Sequence, residues 1–355
     1  MAGEHHPGAR HISLHATIAR NIHRLLESSV PAAHPFETLT PDTVIDAVES
    51  TGIISDARIL ALNSYENRVY QVGVENDEPL IAKFYRPERW SREQILEEHN
   101  FSLELAELDI PAVPPILQGN STLGDFNGFM FALFKRRGGR SPDLNLDNLL
   151  IMGRFIGRLH AAGATKPFLH RRALTLEYFA QDSATYLLEN NFIPANLVDA
   201  YSTLSADLID RIQNIFSSMS APKQIRIHGD FHMGNVLWRD DTPHFVDFDD
   251  TMTGPAMQDL WMLLSGDRQT QLAQLSEIID GYNEFYDFNP AELMLMESLR
   301  TMRLMHYSAW LARRWDDPAF SLAFPWFNTE NYWAGHILEL REQMSALDEP
   351  PLVLF

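Results

Sequence analysis

Two short stretches hold residue types that can do chemistry together: His228-Gly229-Asp230-Phe231-His232-Met233-Gly234-Asn235, and Phe245-Val246-Asp247-Phe248-Asp249. An aspartate followed five residues on by an asparagine, within one tight loop, sets a general base and a neutral amide oxygen on the same side. Asp247, at the end of a short hairpin strand, adds an anionic oxygen. Phosphoryl transfer asks for little more: a carboxylate beside the incoming hydroxyl and metal ions that neutralise the phosphates. Mg²⁺ takes hard oxygen ligands and only one or two carboxylates, which Asn235 with Asp247 would supply. The structural alternative, an Asp230 that merely caps a turn, leaves Asn235 and Asp247 unexplained.

A sequence must build two things to use such a loop, a place for the phosphates and a frame. Thr40-Pro41-Asp42 opens a helix through Val44, Ile45 and Val48, with Gly52 past its end. Strand-like runs follow at 58–62, 69–74 and 79–85, then a helix capped by Ser91 that runs to about Leu108 with Ile95, Phe101 and Leu105 on one stripe. Pro111, Pro114 and Pro115 end it, and two more strands are expected at 118–122 and 128–134. That order describes a lobe at 36–134, with a helix laid on an antiparallel sheet. Residues 135–143 are basic and Gly-containing and read as a hinge. The lobe at 135–355 is mostly helical, with helices expected at 147–162, 174–190, 194–218, 271–285, 290–315 and 331–347 around a strand-like interruption at 225–249. The fold class is therefore α+β and two-lobed.

Composition excludes several alternatives. The 355 residues, 45% hydrophobic with 21 Phe and 7 Trp, suffice for a large core. No apolar run approaches the roughly 18–20 residues of a membrane span, and cysteine is absent, which removes disulfides and thiolate chemistry. A formal charge of -20 argues against nucleic acid and suits cationic substrates. A cytoplasmic monomer is the expectation. Residues 1–35 hold six of the fourteen histidines, and His11 and His15 share a helical spacing that a metal could use. The plainer reading is a flexible tail. Gly153 and Gly157 point to close helix packing, and the aromatics from Tyr307 to Trp333 to core or to an acceptor cleft.

The catalytic loop resembles those of aminoglycoside phosphotransferases and choline kinases, distant relatives of protein kinases. Over about 36–352 the chain is similar to the bacterial stress response kinase A family. Leu62-Asn63-Ser64-Tyr65-Glu66-Asn67-Arg68-Val69-Tyr70, Lys83-Phe84-Tyr85-Arg86-Pro87-Glu88-Arg89-Trp90, Gln94-Ile95-Leu96-Glu97-Glu98-His99 and Asp259-Leu260-Trp261-Met262-Leu263-Leu264 carry that likeness, as does Ala309-Trp310-Leu311-Ala312-Arg313-Arg314-Trp315. The resemblance implies a protein-kinase-like fold with ATP in the small lobe, Asp230 as the acceptor-activating base, and Mg²⁺ on Asn235 and Asp247. It makes Lys83 the phosphate ligand, steadied by Glu98 rather than by Glu97, with Ile81 beside the adenine. Ser64 would donate to the phosphates from a loop that lacks glycine; an ordinary turn serine is the alternative, and Arg68 is a second candidate. Asp259 resembles the family's buried Asp that holds the loop's amides. His228 would anchor the loop, and His232 stays open. Asp249, expected on the same strand face as Asp247, would support the metal through water, while Asp250 would cap or face solvent.

The acceptor is less defined by the residues themselves. The resemblance points to serine or threonine of proteins, in a stress-protective role. Only twelve residues separate Asp247 from Asp259, which leaves no long activation segment, and Gly229 stands where an arginine would read activation-loop phosphorylation. A small-molecule hydroxyl kinase acting on an amino alcohol, sugar or aminoglycoside is the runner-up. A non-catalytic nucleotide sensor is the third reading, opposed by the intact Lys83, Asp230, Asn235 and Asp247.

Overall fold

The computed structural model describes residues 34–354. The histidine-rich stretch 1–33, with His11 and His15, lies outside the described residues.

The first helix, α1 (Pro41–Glu49), begins as its sequence dictates: Thr40 accepts the Thr43 N–H at 3.2 Å, and Pro41 occupies the first turn. Val44, Ala47 and Val48 face inward, and Gly52 leaves with φ +89°. Five antiparallel strands follow, β1 (Ser55–Ala61), β2 (Arg68–Val74), β3 (Asp77–Phe84), β4 (Gly124–Phe126) and β5 (Phe129–Lys135), in the order β1-β2-β3-β5-β4. Between β3 and β4 runs α2 (Arg92–Glu107), opened by a reciprocal Ser91–Gln94 cap. Its buried stripe of Ile95, Glu98, Phe101, Ser102 and Leu105 places one carboxylate among apolar side chains. The strand expected at 118–122 is not there. Gln118 and Ser121 exchange backbone hydrogen bonds across a tight turn in which Gly119 has φ +60°, and the strand starts at Gly124.

The remainder is largely helical. Its helices are α3 (Leu146–Gly163), α4 (Asp182–Glu189), α5 (Val198–Ser218), α6 (Met257–Trp261), α7 (Arg268–Asn283), α8 (Met296–Ala312), α9 (Pro318–Ala323) and α10 (Glu330–Ala346). The segment expected as one helix from 174 begins instead as a π-helical turn, Glu177–Gln181. The Pro290–Leu295 stretch is 3₁₀ rather than α. Helices α6 and α9 are too short for a periodic pattern to have marked them. Among the helices lie the pairs β6 (Ile225–Ile227) with β9 (Met252–Gly254) and β7 (Val236–Arg239) with β8 (Thr242–Phe245).

The expected close helix packing is present. A Cβ on Gly153 would lie 2.1 Å from the Ile278 carbonyl oxygen, one on Gly157 2.5 Å from that of Tyr282, and one on Gly281 2.1 Å from that of Leu150. Helices α3 and α7 therefore approach backbone to backbone, which fixes where His160 and Tyr282 sit. His160 in turn contacts Asp259, the residue that holds the 228–235 loop.

Candidate active site

The loop after β6 is held from behind by buried hydrogen bonds. Asp259 on α6 is fully buried and accepts the backbone N–H groups of His228 and Gly229, each at 2.8 Å. His160 lies 3.0 Å from the same carboxylate and 2.9 Å from the Tyr282 hydroxyl. One chain of contacts thus links the glycine-packed helix pair to the loop backbone. His228 is buried as expected, its Nε2 3.0 Å from the Val246 carbonyl. Gly229 adopts φ +84°, and a Cβ there would sit 2.3 Å from the Asp250 carbonyl oxygen, so no side chain fits.

Asp230 emerges from this frame about one-fifth exposed. Its Oδ1 lies 2.5 Å from the Arg303 guanidinium of α8, and its Oδ2 3.5 Å from His232. Burial pushes the Asp230 carboxyl up, but Arg303, His232 and His228 outweigh burial and hold it well below the usual carboxylate range. His232 also accepts the Gly234 N–H at 2.9 Å, so it tightens the loop beside the base. Asn235 donates its amide to the Asp230 carbonyl at 2.9 Å, which leaves its side-chain oxygen free to act as a ligand. Val246 donates to the Asn235 carbonyl at 3.1 Å, and the hairpin β7–β8 thereby carries the chain from Asn235 round to Asp247.

Asp247 does not continue the strand. It takes the left-handed conformation, φ 61° and ψ 64°, with its side chain about half exposed. Strand alternation has ended at Phe245, so the expected shared face of Asp247 and Asp249 is replaced by a 3₁₀ turn over Phe248–Asp250. A half-exposed carboxylate and a free amide oxygen at the two ends of one hairpin suit an oxygen-ligated divalent cation.

Lys83, only 7% exposed, comes from the sheet on β3 and meets these groups across the cleft. Its ammonium lies 2.9 Å from Asp247 and 3.1 Å from Asp249. Burial opposes its charge, yet Asp247, Asp249 and Glu98 together hold its pKa well above the ordinary lysine value. The expected Lys83–Glu98 clamp is not closed: Glu98 makes no ion pair within 4 Å with Lys83, and its Oε2 is buried without a hydrogen-bond partner. Burial pushes the Glu98 carboxyl up to about 7, although Lys83 pulls it down. Two aspartates have taken the ammonium instead. Asp249 is 4% exposed and also pairs with Arg89, so it fills a buried charged position rather than a solvated one. Arg89 reaches Asp250 at 2.6 Å as well, and Asp250 therefore joins this cluster instead of merely capping a turn. Glu97 points elsewhere, as expected, and takes the backbone N–H groups of Leu169, His170 and Arg171.

The glycine-free loop 63–68 is fastened at several points. The Ser64 hydroxyl donates to the Asn67 carbonyl at 3.0 Å, closing the turn on itself. Glu66 pairs with Arg86 at 3.0 Å, accepts from Trp310 at 2.6 Å and contacts Arg314. Arg68 and Arg86 both reach Asp317, at 3.2 and 2.5 Å. Arg68 thus holds the loop onto the helical part. The residues that sequence reading did not single out are Arg303, Arg86, Arg89, Glu66, Asp317 and His160. Arg303 had one visible signal, the helical spacing of Arg300, Arg303, Tyr307, Trp310 and Arg314 along one stripe.

Three comparisons bear on this arrangement. The phosphotransferase enzyme family profile matches residues 58–295. Stress response kinase A of Escherichia coli (strain K12) is 44% identical over 324 residues, 91% of this chain and 98% of that protein. This chain belongs to the stress response kinase A family. The serine/threonine protein kinase RdoA of Salmonella typhimurium is 43% identical over 323 residues, again 91% and 98%. Among solved structures, an amicoumacin kinase in complex with AMP-PNP, Ca²⁺ and Ami superposes with TM-score 0.66 at 17% identity, covering 98% of each chain. A microcompartment-associated aminopropanol kinase gives 0.62 at 20%, covering 85% of this chain and 97% of that one. The fold is thus the kinase-like one, and family membership makes the chain an ATP-dependent kinase. No helix among the described residues is long and apolar enough to cross a membrane.

Proposed function

We propose that this kinase transfers the γ-phosphoryl group of ATP, with Mg²⁺, to serine or threonine hydroxyls of proteins. The observation that carries the site assignment is the meeting of Lys83 from the sheet with Asp247 at 2.9 Å, on the same loop system as Asp230 and Asn235. That meeting brings the phosphate-handling ammonium onto the carboxylate assigned to the metal. The serine/threonine acceptor rests on the relatives' names over nearly their whole length.

In this reading Asn235 and Asp247 hold Mg²⁺, which neutralises phosphate charge when bound. Lys83 leaves Asp247 for the α and β phosphates, and Glu98 becomes its carboxylate partner. Ser64 turns its hydroxyl from Asn67 toward the phosphates. Asp259 and His228 hold the loop, and Asp249 keeps Lys83 and Arg89 in place. Asp230 takes the proton of the acceptor hydroxyl as its oxygen attacks the γ-phosphorus; the bond to the β–γ bridging oxygen breaks and ADP leaves. The ATP-binding lobe is 36–134, with the hinge at 135–143, and the enzyme works as a cytoplasmic monomer.

The test supplies purified enzyme with ATP and Mg²⁺ and, in parallel, protein acceptors and small hydroxyl compounds, followed by phosphopeptide mapping. Phosphoserine or phosphothreonine, on itself or an added protein, is expected. Rapid ADP release on an amino alcohol or aminoglycoside with no labelled protein would overturn the protein acceptor in favour of a small-molecule kinase.

A further inference from the structure

One stripe of α8, continued into the turn after it, runs from Asp230 to the 63–68 loop: Arg303 touches Asp230 at one end, and Trp310, with Arg314 just past the helix, touches Glu66 at the other. Between them Tyr307, 38% exposed, lies stacked on Trp310 with ring centroids 5.7 Å apart. A hydroxyl brought to Asp230 comes beside this stripe, whose arginines are Arg303 and Arg314. Arg303 is about one-third exposed, and among the described residues its carboxylate partner is Asp230 alone. Arg172 lies 4.0 Å over the Tyr178 ring, whose own neighbour at 5.1 Å is His306 of α8, and it has no carboxylate partner among the described residues. Burial, then Arg313, Arg314, Arg172 and Arg303, hold the His306 imidazole well below its ordinary pKa. A chain of net charge -20 has thus gathered arginines where the acceptor arrives. Global charge suits a cationic substrate, whereas these arginines offer partners to an anionic one.

We propose that Arg303 is a specificity residue that reads a carboxylate on the acceptor, so that the enzyme selects hydroxyls flanked by acidic groups. This rests on the kinase reading above and names the acceptor's chemistry, whether an acidic protein segment or a small hydroxy acid. An acceptor carboxylate would compete with Asp230 for the Arg303 guanidinium, whereas a cationic acceptor offers Arg303 no second partner.

The experiment uses the full chain with ATP and Mg²⁺ and three peptides of equal length. Each has one serine, flanked by Asp/Glu, by Asn/Gln or by Lys/Arg. A small hydroxy acid and an amino alcohol run beside them. Wild type should favour the acidic peptide over the neutral one by about tenfold or more in kcat/KM, the scale of one charged hydrogen bond, with the basic peptide last. Arg303→Gln should raise KM for the acidic peptide by about tenfold and erase the preference, and Arg303→Lys should restore part of it. Equal loss of kcat on all three peptides, with the preference unchanged, would reduce Arg303 to positioning Asp230 and overturn the proposal. So would wild-type preference for the neutral or basic peptide, which needs no variant to be folded. If no peptide is labelled but the hydroxy acid is used over the amino alcohol, the protein acceptor fails and the role of Arg303 stands. Preference for the amino alcohol, or transfer to no acceptor, defeats both.

Discussion

The catalytic loop and the nucleotide-facing cluster are built differently, though they meet at Asp247. Behind Asp230 the positions are set by backbone hydrogen bonds: two N–H groups on Asp259, a carbonyl on His228, a carbonyl on the Asn235 amide. Each buried group has few ways to be satisfied, so the geometry has few alternatives. Around Lys83 the structure is a charge cluster: Lys83 pairs with Asp247 and Asp249, Arg89 with Asp249 and Asp250, and the buried Glu98 carboxyl stands nearby without an ion pair to Lys83. The ammonium has more than one carboxylate near it, and in the proposed mechanism binding of metal and phosphate would change which it takes. The first region is a hydrogen-bonded frame; the second is a cluster of charges.

That contrast breaks most visibly at Asp259. Replacing it by Ala strands two buried N–H groups and His160, and the loss should be about 3–5 kcal/mol of stability. Urea unfolding of Asp259→Ala measures it. A loss below about 1 kcal/mol would mean that the loop is not held by this residue.

A smaller effect sharpens the other side of the comparison. The Glu98 carboxyl, raised to about 7 from an ordinary value of 4.5, binds its proton more tightly in the folded state. Its contribution to stability is therefore complete below about pH 4.5 and is lost as pH rises toward 7, on the order of 1–3 kcal/mol. Glu98→Gln removes that slope, so the difference between wild type and variant in urea midpoint should change between pH 5 and 7.5 and level off above. Parallel curves would show that Glu98 is ionised in the ligand-free protein and that the Lys83 clamp is already formed.

The sequence was most legible where local rules act. The caps at Thr40 and Ser91, the strand pairs and the glycine-packed helices follow from short-range spacing and were found within a few residues. The loop His228–Asn235 and the buried Asp259 were read from residue type and resemblance, and Asp259 accepts the loop amides of His228 and Gly229 as expected. Gln118–Thr122 misled because a glycine turn interrupts an otherwise strand-like run. The Lys83–Glu98 pair is not formed in this structure because the partner of the ammonium depends on residues 164 apart in the chain, as in Lys83 with Asp247. Arg303 carries no motif, and its meeting with Asp230 depends on how α8 packs against the loop. The fastening of Glu66 by Trp310, 244 residues away, is long-range in the same way.

We propose Asp230 as the base of a phosphoryl transfer in which other groups hold ATP. Asp230→Asn, assayed for transfer to any acceptor the wild type uses and for Mg²⁺-ATP binding by calorimetry, tests it directly. Transfer should fall by about 10²–10⁴-fold with nucleotide affinity nearly unchanged. Wild-type turnover in that variant would contradict the account.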